Sequence, residues 1–159
     1  MTIASVLRER ITRWRDELDG YGYVLTDAGR PASRLGELTV SAARPTTYGG
    51  PAARLDIREL WLPGHDPDGL GLEAQGCHLH VASWHAQILD RGAEGAERLD
   101  VDRRKPPDLF VHRHPFGEPN ERRVPAAPLP APERWIEEIE LLILTLAERT
   151  ARESTESTE

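Results

Sequence analysis

The sequence predicts an α+β fold: a small antiparallel sheet of about four to five strands, flanked by an N-terminal and a C-terminal helix. Three observations predict it. Apolar residues recur at helical spacing near both ends of the chain, and between those ends they alternate at spacing two. Glycine and proline, 13 of each, punctuate the stretches in between. With 159 residues the chain fits one domain, long enough to bury a core without covalent staples. We expect that domain over 1–149 and a polar, disordered tail over 150–159.

The first helix is expected from Ile3 to Asp19. Val6 or Leu7, Ile11, Trp14 and Leu18 share one face, and Arg8, Arg10, Arg13, Arg15 and Glu17 mostly take the other, the pattern of a helix docked on a sheet. Gly20 is the expected C-cap, because glycine tolerates the left-handed conformation that ends helices. Strands follow at Tyr21 to Thr26 and Glu37 to Ala43, with Asp27-Ala28-Gly29 a turn and Arg44 to Pro51 a loop. Arg54 to Leu62 alternates, placing Leu55, Ile57 and Trp61 on one side, with Glu59 the polar exception among them. Pro63 to Gly76 reads as a long, mobile connection.

Cys77 to Leu89 is the strongest strand. Period two puts His78, His80, Ala82, Trp84, Ala86 and Ile88 on one face. Asp90 to Glu97 supplies a turn and Arg98 to Asp102 a short return strand. Arg103 to Pro132 is proline-rich and accommodates a short extended piece near Leu109 to His112. The second helix is expected from Glu133 to Arg149, with Trp135, Ile139, Leu142, Ile143 and Leu146 on its apolar face. Pro132 precedes it where a missing N–H costs nothing, and Glu133, Glu137 and Glu138 suit the positive helix end.

Composition narrows the function classes. The single cysteine, Cys77, excludes an intramolecular disulfide and fits a reducing, cytoplasmic setting as an inert strand residue. The opening residues carry charges every few positions and lack an apolar run of signal-peptide type. No window approaches the roughly 18 apolar residues of a spanning helix, so no membrane partner is expected. A net charge of −7 argues against a generic DNA coater. Within 103–123, however, Arg103, Arg104, Lys105, Arg113, Arg122 and Arg123 outnumber Asp108, Glu118 and Glu121, which leaves a local anion-facing surface.

Chemistry centres on two His-x-His pairs, His78/His80 and His112/His114. On a strand this spacing turns both imidazoles to one side, close enough to share a metal or an anion. If the pairs face each other, all four imidazoles bind one divalent metal ion, and Asp100 and Asp102 add oxygens from the strand between them. Alternatively, a histidine acts as acid or base on a phosphodiester. Then His112, Arg113 and His114 form the site, Arg113 holds the phosphate, Asp100 orients and His80 stands nearby. The same pattern also fits histidines that only pack and solvate, in a non-enzymatic module that binds a protein partner. The chain has no GxSxG, P-loop, GxGxxG, HExxH or paired CxxC motif, and Tyr48-Gly49-Gly50-Pro51 reads as a turn.

From Arg98 to the second helix the order of features resembles the TumE-like family of prokaryotic toxin–antitoxin pairs. The residues that carry the resemblance are Arg98-Leu99-Asp100, a basic and proline-containing spacer, His112-Arg113-His114-Pro115 with Gly117, and the acidic amphipathic stretch Glu133 to Glu148. The family similarly places a core strand where Cys77 to Leu89 stands, so the likeness covers about the last half of the chain. It departs from the pattern at Val101-Asp102, where the family tends to have an Asp-Asn type turn. The first helix and the Pro63 to Gly76 loop look like additions. The resemblance implies a toxin-like component, encoded beside an antitoxin with a helix-turn-helix and acting on RNA or another phosphate-bearing target.

Overall fold

A computed structural model describes residues 2–27, 36–46, 51–89, 95–117, 122–126 and 128–158. The expected turns at 27–29 and 90–97 and the loop at 44–51, with its Tyr48-Gly49-Gly50 piece, lie wholly or partly outside the described residues. The fold is α+β. Helix α1 (Ile3–Gly20) leads into β1 (Val24–Asp27), β2 (Glu37–Arg44), β3 (Ala53–Pro63), β4 (Glu73–Ala74), β5 (Cys77–Ile88), β6 (Ala96–Asp102), β7 (Val111–His114) and β8 (Val124–Pro125), and α2 (Pro132–Glu156) closes the chain. The strands form one eight-stranded antiparallel sheet in the order β1-β2-β3-β5-β6-β7-β8, with β4 pairing the end of β5 that β6 does not reach. The sheet exceeds the expected four to five strands because β4 and β8 are two residues each, too short to show alternation, and the four-residue β7 was expected only as a short extended piece. No helix among the described residues is long and apolar enough to cross a membrane.

Both helices pack on one face of the sheet. Val6, Leu7, Ile11, Trp14 and Leu18 are the buried stripe of α1, and Trp135, Ile136, Ile139 and Ile143 that of α2. Beneath them lie Ala53, Leu55, Ile57, Glu59 and Trp61 of β3, all buried. Trp14 meets Trp84 and Trp135 edge to face, a favoured arrangement of ring quadrupoles, with Trp14 and Trp84 centroids 4.7 Å apart, and Trp84 and Trp135 are tilted at 60° to each other.

Glu59, the polar exception in the β3 pattern, is the hub of this core. Arg10 holds it with two hydrogen bonds, Nη2 to Oε1 at 2.7 Å and Nε to Oε2 at 3.0 Å. Trp14 and Trp84 donate their indole N–H groups to Oε1, and Trp61 donates to Oε2. A buried carboxylate persists when its charge is paired and its lone pairs are filled, and Glu59 meets both conditions.

Three local expectations are corrected. Helix α1 runs through Gly20, and its left-handed terminator is Gly22 at φ 80°. There Tyr23 N–H returns to Leu18 O and Gly22 N–H to Asp19 O, each at 3.0 Å. Helix α2 extends to Glu156 rather than Arg149, while Thr150, Ser154 and Thr155 return their hydroxyls to carbonyls one turn back. The connection after β3 is tied down: Asp66 accepts the N–H groups of Asp68, Leu70 and Leu72, and Arg103 bridges it to Leu79 O.

Candidate functional site

The face of the sheet opposite the helices carries polar residues in register across five strands. One row reads Thr39, Arg58, Ser83, Asp100, His112; the next reads Ser41, Asp56, His85, Arg98, His114. Alternation along each strand produces these rows, because residues two apart share a face and antiparallel partners align. The rows end in the His112/His114 pair of β7, and the pair stands directly beside Asp100 and Arg98 of β6.

His112 and His114 are buried, Asp100 is half-buried, and Arg98 keeps 46% of its side chain exposed. Asp100 Oδ2 is 3.3 Å from His114 Nε2 and 3.6 Å from His112 Nε2. Arg98 bridges the group, donating from Nε to Asp100 Oδ2 at 2.8 Å and from Nη2 to His114 Nε2 at 3.0 Å. The tautomers follow from the partners. A guanidinium only donates, so His114 Nε2 accepts. Leu109 O only accepts, so His112 Nδ1, at 2.7 Å, carries a proton and turns Nε2 toward Asp100.

A cavity of about 310 Å³ opens on this cluster. Ser83 and Val81 form part of its floor, and Arg98, Arg104, Lys105 and Arg123 bring positive charge to it. Arg104 is steadied by Asp102, with Nε to Oδ1 at 3.0 Å. A second cavity of about 230 Å³ lies on the same face beside Thr39 and Arg58 and shares Val81 and Ser83 with the first, so a shallow groove crosses the sheet.

The other predicted residues go elsewhere. Arg113 lies between the two histidines in sequence and therefore points to the opposite face, where Nη1 meets Glu97 at 3.0 Å and Nη2 meets Glu138 at 2.5 Å. Burial pushes the Glu97 carboxyl up, and the Arg113 charge holds it back. His78 and His80 occupy the end of β5 that pairs β4. A β-bulge at His80, where Leu60 pairs Val81 and Trp61 pairs Leu79, breaks the expected period, so His78 no longer shares the face of Trp84. His78 Nδ1 lies 3.1 Å from Gly64 O. Burial lowers the pKa of His80, and the charges of Arg103 and His78 add to that. Among the described residues, Asp100, His112 and His114 are the cluster whose donor atoms all fall within 4.8 Å; His78 and His80 are not in it.

Sequence reasoning missed Arg98 as a site residue, although its spacing of two from Asp100 puts both on one face. It also missed His85, which lies between Asp56 and Arg98 in the second row. Burial lowers the His85 pKa, with Asp56 opposing. No family model matches this chain, and no curated protein or solved structure matches it.

Proposed function

We propose that the open face of the sheet binds a phosphate-bearing ligand and that the chain acts on RNA there, with Asp100, His112 and His114 as the reacting centre. One observation carries the reading. The cavity that contains two buried imidazoles and a carboxylate is also lined by Arg98, Arg104, Lys105 and Arg123, in a chain whose net charge is −7. Positive groups gathered around a concave site in an acidic protein raise the local concentration of anions. Arginine in particular matches phosphate oxygens with paired N–H donors.

RNA is favoured over a small phosphate ester because the groove continues past Ser83 toward Arg58 and Thr39, which gives room for a strand on one side of the reacting phosphate. The resemblance to the TumE-like family makes the same activity that of a toxin-like component, restrained by a protein partner. The test is incubation of the chain with an end-labelled single-stranded RNA, read by anisotropy for binding and on a denaturing gel for cleavage. The parent is expected to bind in a salt-sensitive manner and to cleave. Asp100→Asn and His114→Asn, shown folded by circular dichroism, are expected to bind without cleaving. A parent that neither binds nor cleaves RNA at low salt sinks the reading.

A further inference from the structure

We infer that Asp100, His112 and His114 bind one divalent transition-metal ion of borderline softness, such as zinc, cobalt or iron. His112 Nε2 and His114 Nε2 lie 3.6 Å and 3.3 Å from Asp100 Oδ2, and Arg98 donates both to that oxygen and to His114 Nε2. Two acceptors facing each other at such distances call for a cation or a proton between them. Ligands about 2.0–2.1 Å from a tetrahedral zinc lie about 3.4 Å from one another, so the two contacts are already at ligand spacing.

The surroundings fit the same reading. Metal-binding histidines characteristically donate their second ring nitrogen to a backbone carbonyl, which fixes the tautomer and aims the other nitrogen. His112 Nδ1 at 2.7 Å from Leu109 O is that arrangement. Two imidazoles and one carboxylate form a mixed nitrogen–oxygen set that suits zinc or iron and leaves positions for water or substrate. Both imidazoles are buried, while the cavity gives an entry path.

Arg98 is the cation that now satisfies the cluster, and it is more exposed than Arg103, which bridges Asp66 and Asp68. At the other acidic cluster, Arg103 is locked among Asp66, Asp68 and Leu79 O with only 9% of its side chain exposed. Arg98 keeps 46% exposed and needs only to swing outward to vacate the centre, where its charge then meets an anionic ligand. An ion held by Asp100, His112 and His114 would lower the pKa of a water bound to it. The inference stands on the donor atoms alone and holds whether or not RNA is the ligand.

The test is a titration of the full chain, purified without an affinity tag, with cobalt(II) in phosphate-free buffer, followed by the visible absorption of the bound ion. The parent is expected to take up one equivalent. Asp100→Asn, nearly isosteric and free of the folding risk of replacing a buried histidine, is expected to weaken binding about tenfold or more. Arg98→Gln is expected to tighten it about tenfold, since a like charge leaves the site. Magnesium, a hard ion that prefers oxygen donors, is expected not to compete at equal concentration. Uptake below about a tenth of an equivalent under saturating cobalt, an unchanged affinity in Asp100→Asn, or weaker binding in Arg98→Gln overturns the inference. Cobalt uptake without RNA binding leaves it standing and removes only the RNA reading; RNA cleavage without uptake does the reverse.

Discussion

Arg113 of β7 closes on Glu138 of α2 at 2.5 Å, although the residues on either side of it, His112 and His114, face away from that helix. Its other nitrogen pairs with Glu97, which is 2% exposed. Arg113 is thus a tie between sheet and helix, and the guanidinium at the Asp100, His112 and His114 cluster belongs to Arg98. Replacing Arg113 with methionine strands a buried carboxylate. The expected loss is about 3 kcal/mol of unfolding free energy, measured by urea denaturation, with RNA affinity unchanged. A variant as stable as the parent but unable to bind RNA would return Arg113 to the site.

The cavity rim predicts a salt signature. Lys105 and Arg123 line the cavity from outside the Asp100, His112 and His114 cluster. Lys105→Gln and Arg123→Gln are each expected to weaken RNA binding and to reduce the slope of log affinity against log salt by about 0.7 per lost contact. Cleavage at saturating RNA is expected to persist in both. Slopes equal to that of the parent would mean that the RNA does not cross this rim.

Much of this was legible in the chain. The spacing of Val6, Leu7, Ile11, Trp14 and Leu18 gave the buried face of α1, because a helix docked on one surface needs one apolar stripe. The His112/His114 pair shares a face for the reason its spacing implied. That same rule puts Arg113 on the opposite face, where it meets Glu97 and Glu138. Other features lay beyond any local pattern. Arg98 meets His114 only through the register of β6 on β7, and His85 joins their row only through β5 on β6. The bulge at His80 is a tertiary event that no alternation announces; it turns His78 off the face of Trp84, and the two histidine pairs stay apart because His78 lies at the β4 end of β5, beyond the stretch that β6 pairs. Glu59 stood out as a misfit; its partners come from α1, β3 and β5 and could not be named in advance.

Glu59 makes the sharpest stability prediction. Five N–H donors converge on its two oxygens, two of them from Arg10 and three from indoles. Glu59→Gln keeps the shape but turns an amide N–H₂ toward donors and leaves the Arg10 charge unpaired. The expected loss is about 3–5 kcal/mol, read as a lower urea midpoint by tryptophan fluorescence with an unchanged slope. A loss below about 1 kcal/mol, the worth of one ordinary hydrogen bond, would show that the network rearranges freely and is not the hub of the core.

Asp66 gives the chain a pH dependence on the acid side. Burial works to raise its pKa, but the hydrogen bonds from the Arg103 guanidinium and from the backbone N–H groups of Asp68 and Leu72 outweigh it and hold the carboxyl below its ordinary value of 3.8. A carboxyl lowered in the folded state binds protons less readily there than in the unfolded chain. Its contribution is therefore complete above the ordinary value and is lost as pH falls through the folded one. Asp66→Asn removes the pair with Arg103 at every pH. The stability gap between parent and Asp66→Asn is expected to be constant from neutral pH down to about 4 and to shrink toward about pH 2, measured by urea denaturation across that range. A gap that already closes between neutral pH and about 5 would mean that another group governs the loop, since Asp66 does not titrate there.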